Sequence, residues 1–280
     1  MTNINRRCAF IGKWVFLGIM IIFTLYPVVY TVLGSLKTNA ELTQGGGFFP
    51  ETWHFENYYR AFVQADFTKY TLNSVIVSAS VTLLAAITCS LAGFILARRD
   101  FAGKKVLLAL YLSMMFVSLG SVTLYPIYEL LRALKLNKTI LALVIALTGG
   151  QAANVFLVMG FTKGIPKELD EAAIIDGCSL YGVYYRIILP LSKPILAVVA
   201  LFSFRNAWND YITSLIMTIS MPRLQTLTVA VVQLKYSVNA AAEWHIMLAG
   251  ASIAIVPILV VYLFANKQFI AGLTAGAVKG

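Results

Sequence analysis

The chain has 280 residues, of which 59% are hydrophobic and only 12% are charged, and its mean hydropathy is +0.80. Soluble domains carry roughly 45–50% apolar residues, so this composition excludes an ordinary soluble protein and indicates one that lies in a lipid bilayer. The formal net charge of +10 does not indicate nucleic-acid binding, because membrane proteins distribute their basic residues according to topology.

Six apolar runs are long enough to cross a bilayer, which takes about 20 helical residues. They lie near residues 14–34, 72–97, 106–128, 139–162, 191–217 and 246–266. The first run is longer than the apolar region of a signal peptide and is not followed by a clear cleavage site, so we expect it to remain as a helix. The sequence therefore predicts an all-α, multi-pass membrane protein whose residues 1–280 form a single transmembrane domain.

The placement of basic residues predicts the orientation. If the N-terminus is cytoplasmic, thirteen Lys and Arg residues fall in cytoplasmic segments and eight in external segments. The short loop that contains Arg98, Arg99, Lys104 and Lys105 is the kind of compact positive cluster that sets topology. Both termini are therefore predicted to lie in the cytoplasm.

Glycines interrupt the fourth run at what should be mid-membrane depth, in the sequence Gly149-Gly150-Gln151. Such a composition permits a kink or an unwound turn if the freed backbone groups face protein or a cavity. Two interpretations are open, a break that faces a transport pathway and simple close packing of helices. In the external segment after the first run, a short amphipathic helix is predicted near residues 56–64.

The segment between residues 164 and 190 is too charged to lie in lipid. Pro166 suits a first helical turn, and three acidic residues follow it where negative charge favours the helix dipole. Gly177 can take the left-handed conformation that ends a helix, and Ser179 can cap the next one. We predict two short cytoplasmic helices joined by a turn.

This segment resembles the EAA loop of permease subunits in binding-protein-dependent ATP-binding-cassette (ABC) importers. The residues that carry the resemblance are Glu171-Ala172-Ala173, Asp176, Gly177 and Ile187-Ile188-Leu189-Pro190. The resemblance implies six transmembrane helices with a cytoplasmic coupling helix between the fourth and the fifth. It also implies an ATPase-docking surface formed by Asp170, Glu171, Ala172, Ala173, Asp176 and Gly177. Glu171 and Gly177 are expected to matter most, and an ordinary amphipathic loop on the lipid headgroups is the alternative.

Other stretches resemble carbohydrate importers of the maltose and multiple-sugar type, most closely the second, six-helix permease subunit. They are Ser35-Leu36-Lys37, Phe49-Pro50, Asn57-Tyr58-Tyr59, Leu72-Asn73-Ser74, Trp208-Asn209-Asp210-Tyr211 and residues 268–280. The resemblance implies a location in a bacterial inner membrane. It further implies three kinds of partner: a second permease subunit, expected to be a different chain; an ATPase homodimer or heterodimer; and an extracytoplasmic solute-binding protein.

Polar side chains cluster in the fifth run, where aromatic faces together with amide and carboxylate groups suit sugar binding. Ionisable groups within a membrane helix usually face a cavity or a partner helix. The candidate pathway residues are Arg205, Asn206, Trp208, Asn209 and Asp210, with Gln151 and Asn154 on the fourth run. Contact with the partner subunit is the open alternative. The histidines at positions 54 and 245 stand alone in external segments, which predicts surface histidines and no metal site.

The sequence contains no Walker A pattern, GxxxxGK[ST], so ATP and Mg²⁺ are expected on the partner ATPase and no cofactor on this chain. It is thus predicted to be a transport subunit and not an enzyme. An importer permease for another small solute is an alternative. An ion-coupled secondary transporter would need a relay of buried acids, and only Asp210 qualifies. A membrane enzyme is disfavoured because the sequence offers no arrangement of nucleophile, base and metal ligands.

Overall fold

The computed structural model describes the backbone of residues 3–117, 120–236 and 242–277, and the side chains of residues 10–117, 120–236 and 242–264. All regular elements in these ranges are helices, which confirms the predicted all-α class. The chain divides into two compact units. The first consists of Met1–Phe67 and Ala230–Val256, and the second of Thr68–Val229 and Pro257–Gly280.

The helices follow one another with short connections. In chain order they are α1 (Asn3–Gly34), α2 (Asn39–Thr43), α3 (Glu56–Gln64), α4 (Phe67–Arg98), α5 (Lys104–Phe116), α6 (Leu124–Ala133), α7 (Ile140–Thr148), α8 (Ala152–Gly164), α9 (Glu168–Ile175), α10 (Leu180–Val183), α11 (Leu189–Leu191), α12 (Lys193–Asn209), α13 (Ile212–Thr218), α14 (Leu227–Gln233) and α15 (Trp244–Ala277). A π-helical turn at Tyr184–Ile188 connects α10 to α11.

Three single helices in the described part of the chain are long and apolar enough to cross a membrane, and they correspond to the first, second and sixth predicted runs. Their spanning parts are Phe10–Gly34, Phe67–Arg98 and Trp244–Phe264. Two further candidates are bent pairs, α7 with α8 at 55° and the residues 180–191 with α12 at 75°. The first pair corresponds to the fourth predicted run. In the second pair, α12 corresponds to most of the fifth run, whereas residues 180–190 belong to the segment predicted to be cytoplasmic.

The third predicted run, residues 106–128, does not form one continuous helix. Helix α5 has 13 residues, which at 1.5 Å per residue gives about 20 Å, short of the ~30 Å hydrocarbon layer. The chain then passes through a 3₁₀ turn at Gly120–Thr123 before α6 begins. Gly120 has φ +55°, a left-handed conformation that interrupts a right-handed helix.

The fourth run is bent where its glycines permitted a kink. Helix α7 ends at Thr148, α8 begins at Ala152, and Gly150 between them has φ +72°. Because glycine adopts this conformation without the steric penalty of a side chain, the bend is encoded locally.

In the first unit, the segment between α1 and α3 is held by a capped turn. The Thr38 side chain accepts a hydrogen bond from the Glu41 amide, and the Glu41 carboxylate accepts one from the Thr38 amide in return. The same carboxylate accepts a bond from the Glu51 amide at 2.8 Å. The pKa of Glu41 is lowered chiefly by the hydrogen bond from Glu51 and then by the one from Thr38. Helix α3 has the bounds predicted for the external amphipathic helix.

The two histidines, both in the first unit, differ from each other. His54 is partly exposed and its Nδ1 lies 2.6 Å from a Glu56 carboxylate oxygen. His245 is only 8% exposed, and its Nδ1 has no hydrogen-bond partner among the described residues. The prediction of a surface position was wrong for His245, because it lies in the first turn of α15, where the Trp244 amide donates a hydrogen bond to Asn39 and Ile246 is fully buried.

In the second unit, α4 supplies side chains to both large apolar clusters. Val77 and Val81 belong to a cluster with α6, α7, α12 and α13, and Cys89 to a second one with α8 and α12. Gly93 permits the close approach of α8, because a Cβ at that position would lie 2.7 Å from the Val158 side chain. The small residues of the second run thus allow α4 to lie at the centre of its unit.

Candidate functional site

Residues 165–188, which we call the coupling segment, form the short helices predicted from the sequence. Helix α9 ends at Ile175, and Gly177 follows with φ +84°. The Ser179 side chain accepts a hydrogen bond from the Gly182 amide at 3.2 Å and so caps α10. The turn is therefore specified by a glycine that takes the left-handed conformation and by a capping serine.

One face of α9 is buried within the second unit. Ala173 is 7% exposed and belongs to an apolar cluster with Phe94, Ile165, Val183, Tyr184 and Ile188. The cluster joins α9, α10 and the end of α4. The small alanine side chain at 173 therefore serves contact within this chain.

The opposite face of α9 is exposed. Of the predicted docking residues, Glu171, Ala172, Asp176 and Gly177 lie on it or in the turn that follows. Ile174 and Ile175 accompany them, with exposed fractions of 52% and 85%. The exposed surface thus combines an acidic side chain with two large apolar ones. Sequence reasoning missed the isoleucines, although Ile175 stands four residues after Glu171 and so shares its face.

Asp170 points inward. Its Oδ2 lies 2.7 Å from Nε of Arg98, the last residue of α4, and the two side chains are 14% and 5% exposed. Arg98 also donates a hydrogen bond from Nη2 to the Ile165 carbonyl at 2.8 Å. The contact between Nε and Oδ2 does not have hydrogen-bond geometry, so it acts as an ion pair, and Asp170 Oδ1 has no hydrogen-bond partner among the described residues. The sequence had indicated Arg98 only as a topology signal.

A second contact joins α4 to the coupling segment two turns before Arg98. The Ser90 hydroxyl lies 2.6 Å from the Tyr184 hydroxyl, and both residues are buried. The rings of Phe94 and Tyr184 lie 5.3 Å apart between centroids. Ser90, Phe94 and Arg98 are spaced by four residues and therefore share one face of α4. That spacing is the signal in the sequence that could have indicated these contacts.

A cavity of about 250 Å³ opens beside the ion pair, and its lining includes Arg98, Arg99, Lys167, Asp170 and Glu171. In the adjoining loop the pKa of Asp100 is lowered by the hydrogen bond that Lys104 donates to its carboxylate, at 2.8 Å. The loop after α4 and the coupling segment therefore lie at the same end of the second unit. Both segments were predicted to be cytoplasmic, and their proximity is what that topology requires.

The candidate pathway residues of α12 fall into two groups. Trp208 is 2% exposed, its ring stacks on Phe204 at 5.6 Å between centroids, and its carbonyl accepts a hydrogen bond from the Thr228 hydroxyl. Arg205, Asn206 and Asn209, in contrast, are exposed on the surface of this chain. The structure therefore does not bring Trp208 and these three side chains together on one face.

Asp210 ends α12 and holds the start of α13. Its Oδ1 accepts hydrogen bonds from the Ser214 amide at 2.7 Å and from the Ser214 hydroxyl at 2.9 Å. The fifth run, predicted as one helix over residues 191–217, is thus divided at Asp210 and bent near residue 192. A carboxylate that bonds the first free amides of a helix favours this division.

Asn154 links α8 to α12. It is 6% exposed, and its amide group donates to the Ser203 hydroxyl at 3.3 Å and to the Gln151 side-chain oxygen at 2.5 Å. A cavity of about 270 Å³ adjoins the Gly150 break, and Gln151 lines it together with Thr88, Tyr111 and Thr148. Polar groups from α4, α5, α7 and the residue before α8 therefore meet at the bend of the fourth run.

Comparison with known proteins identifies the class. Residues 89–269 match the family described as the inner membrane component of binding-protein-dependent transport systems. The match covers more than half of the chain, so the chain belongs to this family and is a permease subunit of a bacterial ABC importer in the inner membrane. Membership implies a partner permease, an ATPase and a solute-binding protein.

Individual relatives cover almost the whole chain. It is 32% identical to the arabinooligosaccharides transport system permease protein AraQ of Halalkalibacterium halodurans, over 91% of each chain. It is 30% identical to the maltodextrin transport system permease protein MdxG of Bacillus subtilis, over 99% of this chain and 97% of that one. A chain in the crystal structure of a bacterial ABC transporter involved in the import of the polysaccharide alginate superposes with a TM-score of 0.79. The superposition covers 96% of this chain and 99% of the chain in the crystal structure, at 21% sequence identity, and shows that the two share a fold.

Proposed function

We propose that this chain forms half of the translocation pathway of a carbohydrate importer and transmits to it the work of two ATPase subunits that hydrolyse ATP. The family and the coupling segment support the ATP-driven assignment over an ion-coupled one. The names of two relatives, which specify arabinooligosaccharides and maltodextrin, support an oligosaccharide substrate.

The observation that carries the docking part is the exposed face of α9. An apolar side chain with 85% exposure at the end of a short helix that the left-handed Gly177 terminates is a candidate anchor for a pocket on another protein. Burying an isoleucine is worth about 1.5–3 kcal/mol, and 1.4 kcal/mol is a tenfold change in binding. We propose that Ile175 enters the ATPase, that Glu171 pairs with a basic group at the rim, and that Asp170 and Ala173 support this face from within.

Copurification tests the docking surface. With the permease complex immobilised in mild detergent, Ile175→Ser and Glu171→Ala should each reduce the ATPase retained, the first by about tenfold. Ile219→Ser is the matched control, because Ile219 is also exposed, at 68%, but lies in the turn after α13. Normal ATPase retention in both α9 variants would rule out this docking surface.

The pathway part rests on the exposed polar side chains of α12. An arginine within a membrane-spanning helix does not face lipid without a large cost, so Arg205 must face a partner chain or an aqueous path. Asn206 and Asn209 lie exposed beside it and can donate and accept hydrogen bonds as sugar hydroxyls require. The cavity at Gln151, at about 270 Å³, is just below the roughly 300 Å³ of small-molecule sites and suits one sugar ring at a time.

Reconstitution separates pathway contact from contact with the partner permease. Complexes carrying Arg205→Gln, Asn209→Ala or Gln151→Ala would be compared in liposomes that take up labelled maltodextrin or arabinooligosaccharide with their binding protein. We expect uptake to fall several-fold with normal subunit composition. Loss of the partner permease from the complex would instead assign the residue to the subunit interface, and normal uptake in all three would refute a role in the pathway.

A further inference from the structure

Helix α4 is joined to the coupling segment only through side chains. The coupling segment continues along the chain into α8 on one side and, through the π-helical turn and α11, into α12 on the other. Movement imposed on α9 can reach those two helices through the backbone. It can reach α4, which lies at the centre of the second unit, directly from the coupling segment or by way of the packing of α4 on α8 and α12.

The direct contacts with the coupling segment form one stripe on α4. Ser90, Phe94 and Arg98 occupy successive turns of the same face, and each touches the coupling segment. The first two hold Tyr184 in the π-helical turn, and the third holds Asp170 in α9. A stripe of this kind fixes both the position and the rotation of α4 relative to the coupling segment.

We infer that the Arg98–Asp170 pair is the joint through which α4 moves together with the coupling segment when the ATPase closes. The inference deepens the proposed function and depends on ATPase docking at α9. Arg98 and Asp170 are positioning residues, since neither is placed to touch the transported solute. The pair transmits in either direction, so that solute-dependent movement of α4 also reaches the ATPase.

The chemistry of the pair suits such a joint. Arg98 holds α9 through Asp170 and holds the chain just before α9 through the Ile165 carbonyl, so one side chain spans two points of the coupling segment. Among the described residues, Asp170 has no other ion-pair partner. Loss of Arg98 therefore leaves a largely buried carboxylate without its counter-charge, and loss of Asp170 leaves a buried guanidinium.

A reversible cross-link tests whether α4 and α9 move as one body. Arg98→Cys and Asp170→Cys would be combined in a background without the native cysteines, and the assembled complex would be reconstituted in liposomes. Solute imported per ATP hydrolysed is the readout, with ATPase copurification as the control for docking. A short bis-methanethiosulfonate linker, which forms a disulfide with each cysteine and releases methanesulfinate, then replaces the lost ion pair.

Without the linker, we expect import per ATP hydrolysed to fall at least tenfold in the complexes that retain the ATPase. With the linker it should recover to within about threefold of the background, and reductant should abolish the recovery. Unchanged import per ATP without the linker would overturn the inference, and so would a linked complex that hydrolyses ATP but does not import. Arg99→Cys alone is the matched control. Arg99 is exposed beside Arg98, and this variant leaves the Arg98–Asp170 pair intact.

A milder variant keeps the test decisive if the double variant fails to assemble. Arg98→Lys retains the positive charge but cannot reach Asp170 and the Ile165 carbonyl with a planar, forked group. We expect import per ATP to fall three- to tenfold with normal assembly, and a normal ratio would overturn the inference. A wrong docking surface would appear differently, as normal ATPase retention in the Ile175→Ser and Glu171→Ala variants.

Discussion

Gly177 should act on ATPase docking through its backbone conformation alone. It has φ +84°, and a Cβ built on it meets no atom of this chain within 4 Å. Substitution by alanine therefore adds no clash, and its cost is the left-handed strain of about 1–2 kcal/mol. An energy of that size changes an equilibrium by roughly 5–30-fold, so Gly177→Ala should weaken ATPase binding by about that factor.

Asparagine distinguishes backbone strain from close contact, because it tolerates the left-handed region better than other side chains. We expect Gly177→Asn to bind the ATPase within about threefold of the native complex. Gly160→Ala is the matched control, since a Cβ there also meets nothing within 4 Å and the backbone is not left-handed. The measurement is ATPase retained on immobilised permease over a range of ATPase concentrations.

Two results would refute this reasoning. Native affinity in Gly177→Ala would mean that the turn does not need its left-handed residue. Weaker binding in Gly177→Asn than in Gly177→Ala would mean that side-chain size matters, and hence that the ATPase lies against the glycine directly. Either result would rule out backbone strain at Gly177 as the determinant of ATPase docking. Neither would affect the family assignment.

Three further outcomes follow from the described contacts. Gly93→Ala should lower the unfolding temperature in detergent by forcing α8 away, at about 1–3 kcal/mol, whereas Gly160→Ala should not lower it. Asn73→Ala removes two hydrogen bonds to carbonyls near Arg223, so trypsin should cleave there several-fold faster, and an unchanged rate would contradict the contact. Because the pKa of Glu41 is lowered, the ionised carboxylate stabilises the turn fully at neutral pH, and this stabilisation is lost as the pH falls through the lowered pKa. Amide exchange in the turn should then accelerate at acid pH, and Glu41→Gln should abolish this dependence.

Local signals specified much of the fold. The coupling helices and the amphipathic helix α3 were predicted from residues within a turn or two of each feature, and the bend at Gly150 lies where the glycines permitted one. Composition was enough to predict a helical membrane protein, and the family match agrees with the permease class that the EAA pattern indicated. These features depend on backbone preferences and capping, which neighbouring residues determine.

Other features were not predictable in this way. The third run was predicted as continuous because most of its residues are apolar, yet α5 ends at Phe116, where Val117 is extended, and Gly120 further on is left-handed. Asp210 was predicted to lie inside a helix, whereas its hydrogen bonds to Ser214 start a new one. A carboxylate can serve as a helix cap or as a pathway group, and its surroundings decide between them.

By itself, the sequence determined the helical class, the likeness to importer permeases and the bounds of the coupling helix, because hydropathy, spacing and capping are properties of short stretches. Only the tertiary structure decided which faces meet. It turned Asp170 inward onto Arg98, left Ile175 outward beside Glu171 and buried His245. The face that a helix presents depends on partners far away in the chain, and those partners are brought near only when the helices pack.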